Sequence, residues 1–206
     1  MTHKTNSRLA GFVFLFYIVS GIGGMILFAP ATAGHTTAEK LASVAQHQAM
    51  IRAEGVYALL MAMNAIVLAV AIYGLTRDYD RDLALLALCC RMIEGGIAVV
   101  GALLTRALLT ASTDVAAAIF SLNGFTALIS ATLFAIGSTI YCWLFLRARS
   151  IPASLAWLGV LSSVLLLIAL PLQIAGVLSG TITYVVWIPV ALFEITFAFW
   201  LLIKGV

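Results

Sequence analysis

The sequence predicts an all-α, polytopic membrane protein: a bundle of six transmembrane helices with both termini in the cytoplasm. Three observations lead there. Of the 206 residues, 64% are hydrophobic and 9% are charged, whereas charged residues make up about a quarter of a soluble chain. Six apolar runs reach the roughly 20 residues that a helix needs to cross a bilayer core. They cover residues 9 to 30, 53 to 76, 83 to 108, 117 to 146, 152 to 178 and 182 to 204. The basic residues also divide unevenly: Lys4, Arg8, Arg77, Arg81, Arg147, Arg149 and Lys204 fall on the side of the termini, against Lys40, Arg52 and Arg106 on the other. By the positive-inside rule both ends are cytoplasmic.

The spans and their short connections use nearly the whole length, so the chain reads as a single six-helix transmembrane domain, residues 1 to 206, whose site lies within or between helices. The net charge of +3 is scattered over span ends rather than clustered, which argues against a nucleic-acid partner and makes the lipid bilayer the principal one. Cys89, Cys90 and Cys142 lie in apolar stretches without a zinc or haem spacing and read as small buried hydrophobes. No metal or cofactor motif is present in the sequence.

Lys4 and Arg8 precede an apolar run as in a signal peptide. However, Leu9 to Ala29 is longer than a signal's apolar region and reads as a retained first span. Gly21 and Gly24, beside Ser20, let another helix approach. The one long connection, residues 31 to 51, is predicted on the outer side. Thr36 and Glu39 have capping-box spacing there, and Leu41, Val44, Gln48 and Ile51 follow at roughly helical intervals. The expected element is a short interfacial helix or an extension of span two. His35, His47 and Glu39 have no diagnostic metal-ligand spacing.

Span two opens with Arg52 and Glu54, placed to snorkel at the outer interface, and carries Asn64 roughly 18 Å further along. The turn RDYDRD reads as a solvated charge cluster. Span three enters from the cytoplasm, so Arg91 lies about 12 Å deep and Glu94 about 16 Å deep. Three positions apart, they share a face, which Gly95, Ala98, Gly101, Ala102 and Thr105 continue as a stripe of small residues. Span four has a polar stripe of Asn123, Thr126, Ser130, Gly137 and Tyr141 suited to bonding across helices. In span five Pro152 occupies the first turn, and Pro171 should bend the helix just before Gln173. Span six places Glu194 about 18 Å in, with Trp187, Ala191, Phe197 and Ala198 on its face, while Tyr184, Phe199 and Trp200 read as lipid or interface contacts.

These depths bring Asn64, Glu94 and Glu194 to one level, with Arg91 a turn towards the cytoplasm. Ionisable groups inside a membrane cost about 2.5–3.5 kcal/mol each on insertion scales and mark function by default. Two carboxylates share one deep cation, so one must hold or share a proton. Glu194 is read as the proton-exchanging carboxylate, because Glu94 has Arg91 a turn away and Glu194 has no cation in its span until Lys204.

Glu194, Glu94, Arg91 and Asn64 are therefore the candidate ligand- or proton-binding residues, in a small, largely apolar cavity among spans two, three, four and six. Three readings remain open. One is binding or transport of a small apolar or proton-linked molecule, for which six spans are few and suggest a homodimer; Glu94 and Glu194 hold matching places in two inverted halves. A second is an intramembrane acid–base enzyme, an isomerase, cyclase or hydrolase acting on a lipid-soluble substrate, although no nucleophile motif names a reaction. The third is a structural protein with a buried Arg–Glu pair.

The order SRLAGFVFLFYIVSGI, a long loop into IRAEG, RMIE, FLRARSIPASLAWLGVL and ALFEITFAFWLLIKGV resembles the bacterial six-span membrane family catalogued as a domain of unknown function, four-three-eight-six in that series. The resemblance covers nearly the whole chain. It implies a multi-pass protein of the bacterial inner membrane and transfers no activity. Arg91, Glu94, Pro152, Gly159, Glu194 and Gly205 stand at positions that match the family pattern. The Cys pair before RMIE and the Thr/His-rich loop are individual to this chain.

Overall fold

The computed structural model describes residues 3–206 and is helical throughout. The helices are α1 (His3–Phe28), α2 (Thr37–Gln46), α3 (Gln48–Thr76), α4 (Arg81–Ala107), α5 (Thr113–Ala148), α6 (Ala153–Ile174), α7 (Ile182–Val185) and α8 (Ile188–Ile203), with a 3-10 turn at Ala29–Thr32. Six segments are long and apolar enough to span a membrane: α1 with its 3-10 extension, α3, α4, α5, α6, and α7 continued by α8. Their outward faces carry large apolar side chains, among them Phe12, Val19, Leu60, Leu103, Leu161 and Ile168. Such a surface needs lipid around it.

The ends of the chain meet. The Val206 N–H donates to Ser7 Oγ at 3.0 Å, so both termini lie at one end of the bundle, called here the terminus end; the long connection lies at the other, the loop end. At the terminus end the RDYDRD turn is more than a solvated cluster: Asp80 caps α4 by accepting from the Leu83 N–H at 3.1 Å and pairs with Arg147 at 3.7 Å.

The connection forms a separate short helix, α2, rather than an extension of span two, because His47 breaks the helical backbone between α2 and α3. The Thr36–Glu39 capping box is formed; the Glu39 carboxylate accepts from the N–H groups of His35 and Thr36, and these bonds hold its pKa below the usual carboxylate value. Val44 and Ile51 are buried with Ala31, Leu108, Ala116 and Ile119, while Gln48 faces outward. Thus the connection folds down onto the loop-end tips of α4 and α5.

Two prolines shape the last spans. Helix α6 stops at Ile174, three residues after Pro171, so span five is shorter than its apolar run, and Gly176 turns the chain with a φ of 73°. Span six is interrupted between α7 and α8, with Pro189 in the first turn of α8. Proline has no N–H to donate and its ring crowds the carbonyl four residues earlier, so one continuous helix is not available there.

The terminus-end half is closed by an aromatic core. Phe197 is the hub, with ring centres 5.2 Å from Phe145, 5.3 Å from Phe193, 6.1 Å from Phe14 and 6.5 Å from Tyr141. Trp200 also packs against this cluster, not against lipid as its type suggests, since it lies one helical turn from Phe197. Close approach by α1 depends on Gly11, where an added Cβ would stand 2.7 Å from the Ala198 carbonyl oxygen. Gly24 lets the Tyr57 ring pass, whereas Gly21 faces open space. Gly11→Ala should therefore cost about 1–3 kcal/mol, as overpacking does, and lower the melting temperature of the detergent-purified protein. Gly21→Ala should leave it within a degree or two; equal losses would show that helix propensity and not packing governs α1.

Candidate functional site

Helix α4 presents Arg91 and Glu94 to the bundle interior, paired at 2.8 Å with side chains 4% and 6% exposed. The pair is held from three sides. Tyr17 of α1 donates its hydroxyl to Glu94 Oε1 at 3.2 Å, and Ser130 of α5 donates to the Glu94 carbonyl at 3.1 Å. The guanidinium lies 4.7 Å from the Phe134 ring centre and 5.7 Å from that of Tyr17. Gly137 makes room for it: a Cβ there would come 3.2 Å from Arg91 Cγ and Cδ. Burying two charges is costly unless partners are well placed; here the carboxylate has the Tyr17 hydroxyl and the guanidinium has two ring faces.

Above the pair, towards the loop end, the helices part around a cavity of about 580 Å³. Its inner end is lined by Glu94, Glu194, Tyr17 and Phe134. Its walls are small residues, Ala98, Gly101 and Ala102 of α4 and Ala127 and Ala131 of α5, with Thr105, Asn123 and Thr126 further out. A second chamber of about 360 Å³ shares Met25, Glu54, Ala58, Thr105 and Asn123 with the first and continues to Phe28 and Thr32 in the connection. Spans one, two, three, four and six thus contribute; the sequence reading omitted span one. Asn123 fixes the wall by donating to Thr105 Oγ1 at 2.9 Å.

The predicted residues separate into two groups. Glu94 and Glu194 both line the cavity, and Arg91 stands behind Glu94 as its partner. Asn64 does not line it: its amide donates to the Val13 carbonyl at 3.4 Å and ties α3 to α1. Its side chain leaves α3 towards the α1 backbone at Val13, one turn short of Tyr17, and not towards the carboxylates. Glu54 differs in the other direction. Instead of snorkelling outward, it lies half-buried between the two chambers, one turn before Ala58 on the same inward face. Of the aromatic face expected around Glu194, Trp187 reaches the cavity and stacks near Phe134 at 6.0 Å, while Phe197 belongs to the terminus-end core.

Tyr17 is the residue that sequence reasoning missed. A tyrosine in mid-span must find a partner for its hydroxyl, and that was the available signal. Glu194 is the contrasting case: its Oε1 is enclosed and has no hydrogen-bond partner. The site therefore holds one carboxylate paired with Arg91 and bonded by Tyr17, and one with no ion-pair or hydrogen-bond partner among the described residues.

A family model described as "Domain of unknown function (DUF4386)" matches residues 9–205. The chain belongs to this family. No curated protein and no solved structure matches it. For this DUF4386 chain, then, the site must be read from its own residues.

Removing one member of a buried pair strands the other, typically at a cost of about 3–5 kcal/mol. Glu94→Gln should show a loss of that order in thermal melts of the purified protein, and Tyr17→Phe a smaller one of about 1 kcal/mol, for a single hydrogen bond. Glu194→Gln should melt near the parent temperature. If Glu194→Gln is instead the most destabilised variant, Arg91 is stabilised chiefly by Glu194.

Proposed function

We propose that this multi-pass membrane protein binds a small, largely apolar molecule in the loop-end cavity, with Glu194 as the polar anchor, as the binding step of a transport cycle. The observation that carries this reading is Glu194, whose Oε1 has no hydrogen-bond partner, at the inner end of a cavity walled mainly by small and aromatic side chains with a few polar ones. Binding sites combine an apolar wall with a few placed polar groups. The cavity reaches towards the loop end, whereas the aromatic core around Phe197 closes the terminus end. That asymmetry is the form of a bundle open to one side. The excess of basic residues at the terminus end supports an inner-membrane orientation with both termini cytoplasmic and the cavity facing outward. Arg91 and Glu94 serve as the fixed floor of the site, and Glu194 as the group whose bonding changes on occupancy.

The test uses cysteine accessibility, with Cys89 replaced by serine. Ala98→Cys, on the cavity wall, should react with a membrane-impermeant maleimide added outside intact cells, and Ala135→Cys, fully buried, should not. A panel of small apolar molecules, neutral and cationic, should contain members that slow the Ala98→Cys reaction by several-fold. Labelling that no compound slows would overturn the binding reading, and labelling only from the cytoplasmic side would overturn the orientation.

A further inference from the structure

We propose that the cavity selects a lipophilic cation, an amine or quaternary ammonium group on an apolar body, with Glu194 as its counter-ion; this rests on the reading of the cavity as a binding site. Three acidic side chains, Glu54, Glu94 and Glu194, line the cavity, and no Lys or Arg is among its lining residues. Arg91 lies behind Glu94 and is already paired. A cleft lined by one sign of charge, with low-dielectric walls, concentrates the opposite sign. An anion would meet three carboxylates and no cation among the lining residues, and a neutral hydrocarbon would leave Glu194 Oε1 as it stands, without a partner.

The protein's own cation displays the mode of recognition. Arg91 is held by a carboxylate at 2.8 Å and by two ring faces, Phe134 and Tyr17. Glu194 and Trp187 add a second carboxylate and a third large ring to the cavity lining, with the Phe134 ring centre 6.0 Å from that of Trp187. A ring face attracts a desolvated cation, tryptophan most strongly. The small residues of α4 and α5 leave the space for an apolar body, and Glu54 puts a carboxylate between the two chambers, on the route from the loop end.

An isosteric pair of probes isolates the charge: phenyltrimethylammonium and tert-butylbenzene have the same shape. A ligand that binds only the folded state raises the melting temperature by mass action. In melts of the purified full-length chain in a neutral detergent, phenyltrimethylammonium should raise the melting temperature in a saturable way, and tert-butylbenzene should not at equal concentration. Glu194→Gln should weaken the cation's effect by about tenfold or more, as loss of an enclosed counter-ion does, while Glu194→Asp retains most of it. Trp187→Leu should weaken it by several-fold. If Glu194→Gln fails to fold, the Asp and Trp187 variants decide. Stabilisation by tert-butylbenzene equal to or above that by the cation would overturn the proposal and leave the cavity a site for neutral molecules. No stabilisation by either probe, or full retention in Glu194→Gln and Trp187→Leu, would also overturn it, whereas the binding reading stands or falls on protection of Ala98→Cys.

Discussion

Arg91 and Glu94, one turn apart on α4, are two charges in a medium that tolerates neither alone. Their pairing requires Tyr17 from α1, Ser130 and Phe134 from α5, and the missing side chain of Gly137. A long arginine that must reach a carboxylate on its own helix cannot shift without losing that bond. The pair consequently sets how α1, α4 and α5 are rotated against one another. Breaking it leaves a buried charge unmatched, which is why it constrains the bundle more than any single apolar contact does.

From this layer the two halves of the bundle diverge in character. Towards the terminus end, large rings from α1, α5 and α8 interlock around Phe197, and Gly11 and Gly159 let backbones and rings come close. Towards the loop end, α4 and α5 carry Ala and Gly where they face the interior, so the same spacing between helices leaves a void instead of a packed core. Such a void in lipid must be occupied by water or by a molecule that satisfies its polar groups. Thr105, Asn123 and Thr126 bond to one another or to backbone, and Glu94 is paired with Arg91, whereas the enclosed Oε1 of Glu194 has neither a hydrogen bond nor an ion pair.

The connection over residues 29 to 47 completes this half. Its 3-10 turn and α2 are joined by the Ser43 hydroxyl, which donates to the Pro30 carbonyl at 2.6 Å. Lys40 lies 5.4 Å from the ring centre of Phe120, a residue that also lines the second chamber. The segment is thus attached at the rim of the cavity by apolar burial of Val44 and Ala31, and its position is set by α4 and α5, the same helices that form the cavity wall.

The sequence by itself determined the six spans, the Thr36–Glu39 capping box of the connection and the Arg91–Glu94 pair. All of these rest on local physics: apolar run length, capping spacing and the three-residue separation that places two side chains on one helix face. The polar stripe of α5 was legible for the same reason, and Ser130, Gly137 and Asn123 do meet α4. Tertiary structure decided the rest. The depths expected for Asn64, Glu94 and Glu194 give one coordinate of three; the rotation of each helix sent Asn64 to the α1 backbone and brought Tyr17 to Glu94 and Glu54 into the cavity wall. Those rotations follow from how side chains on different spans, 51 to 77 residues apart, fit together, and no periodicity within a single span contains that information.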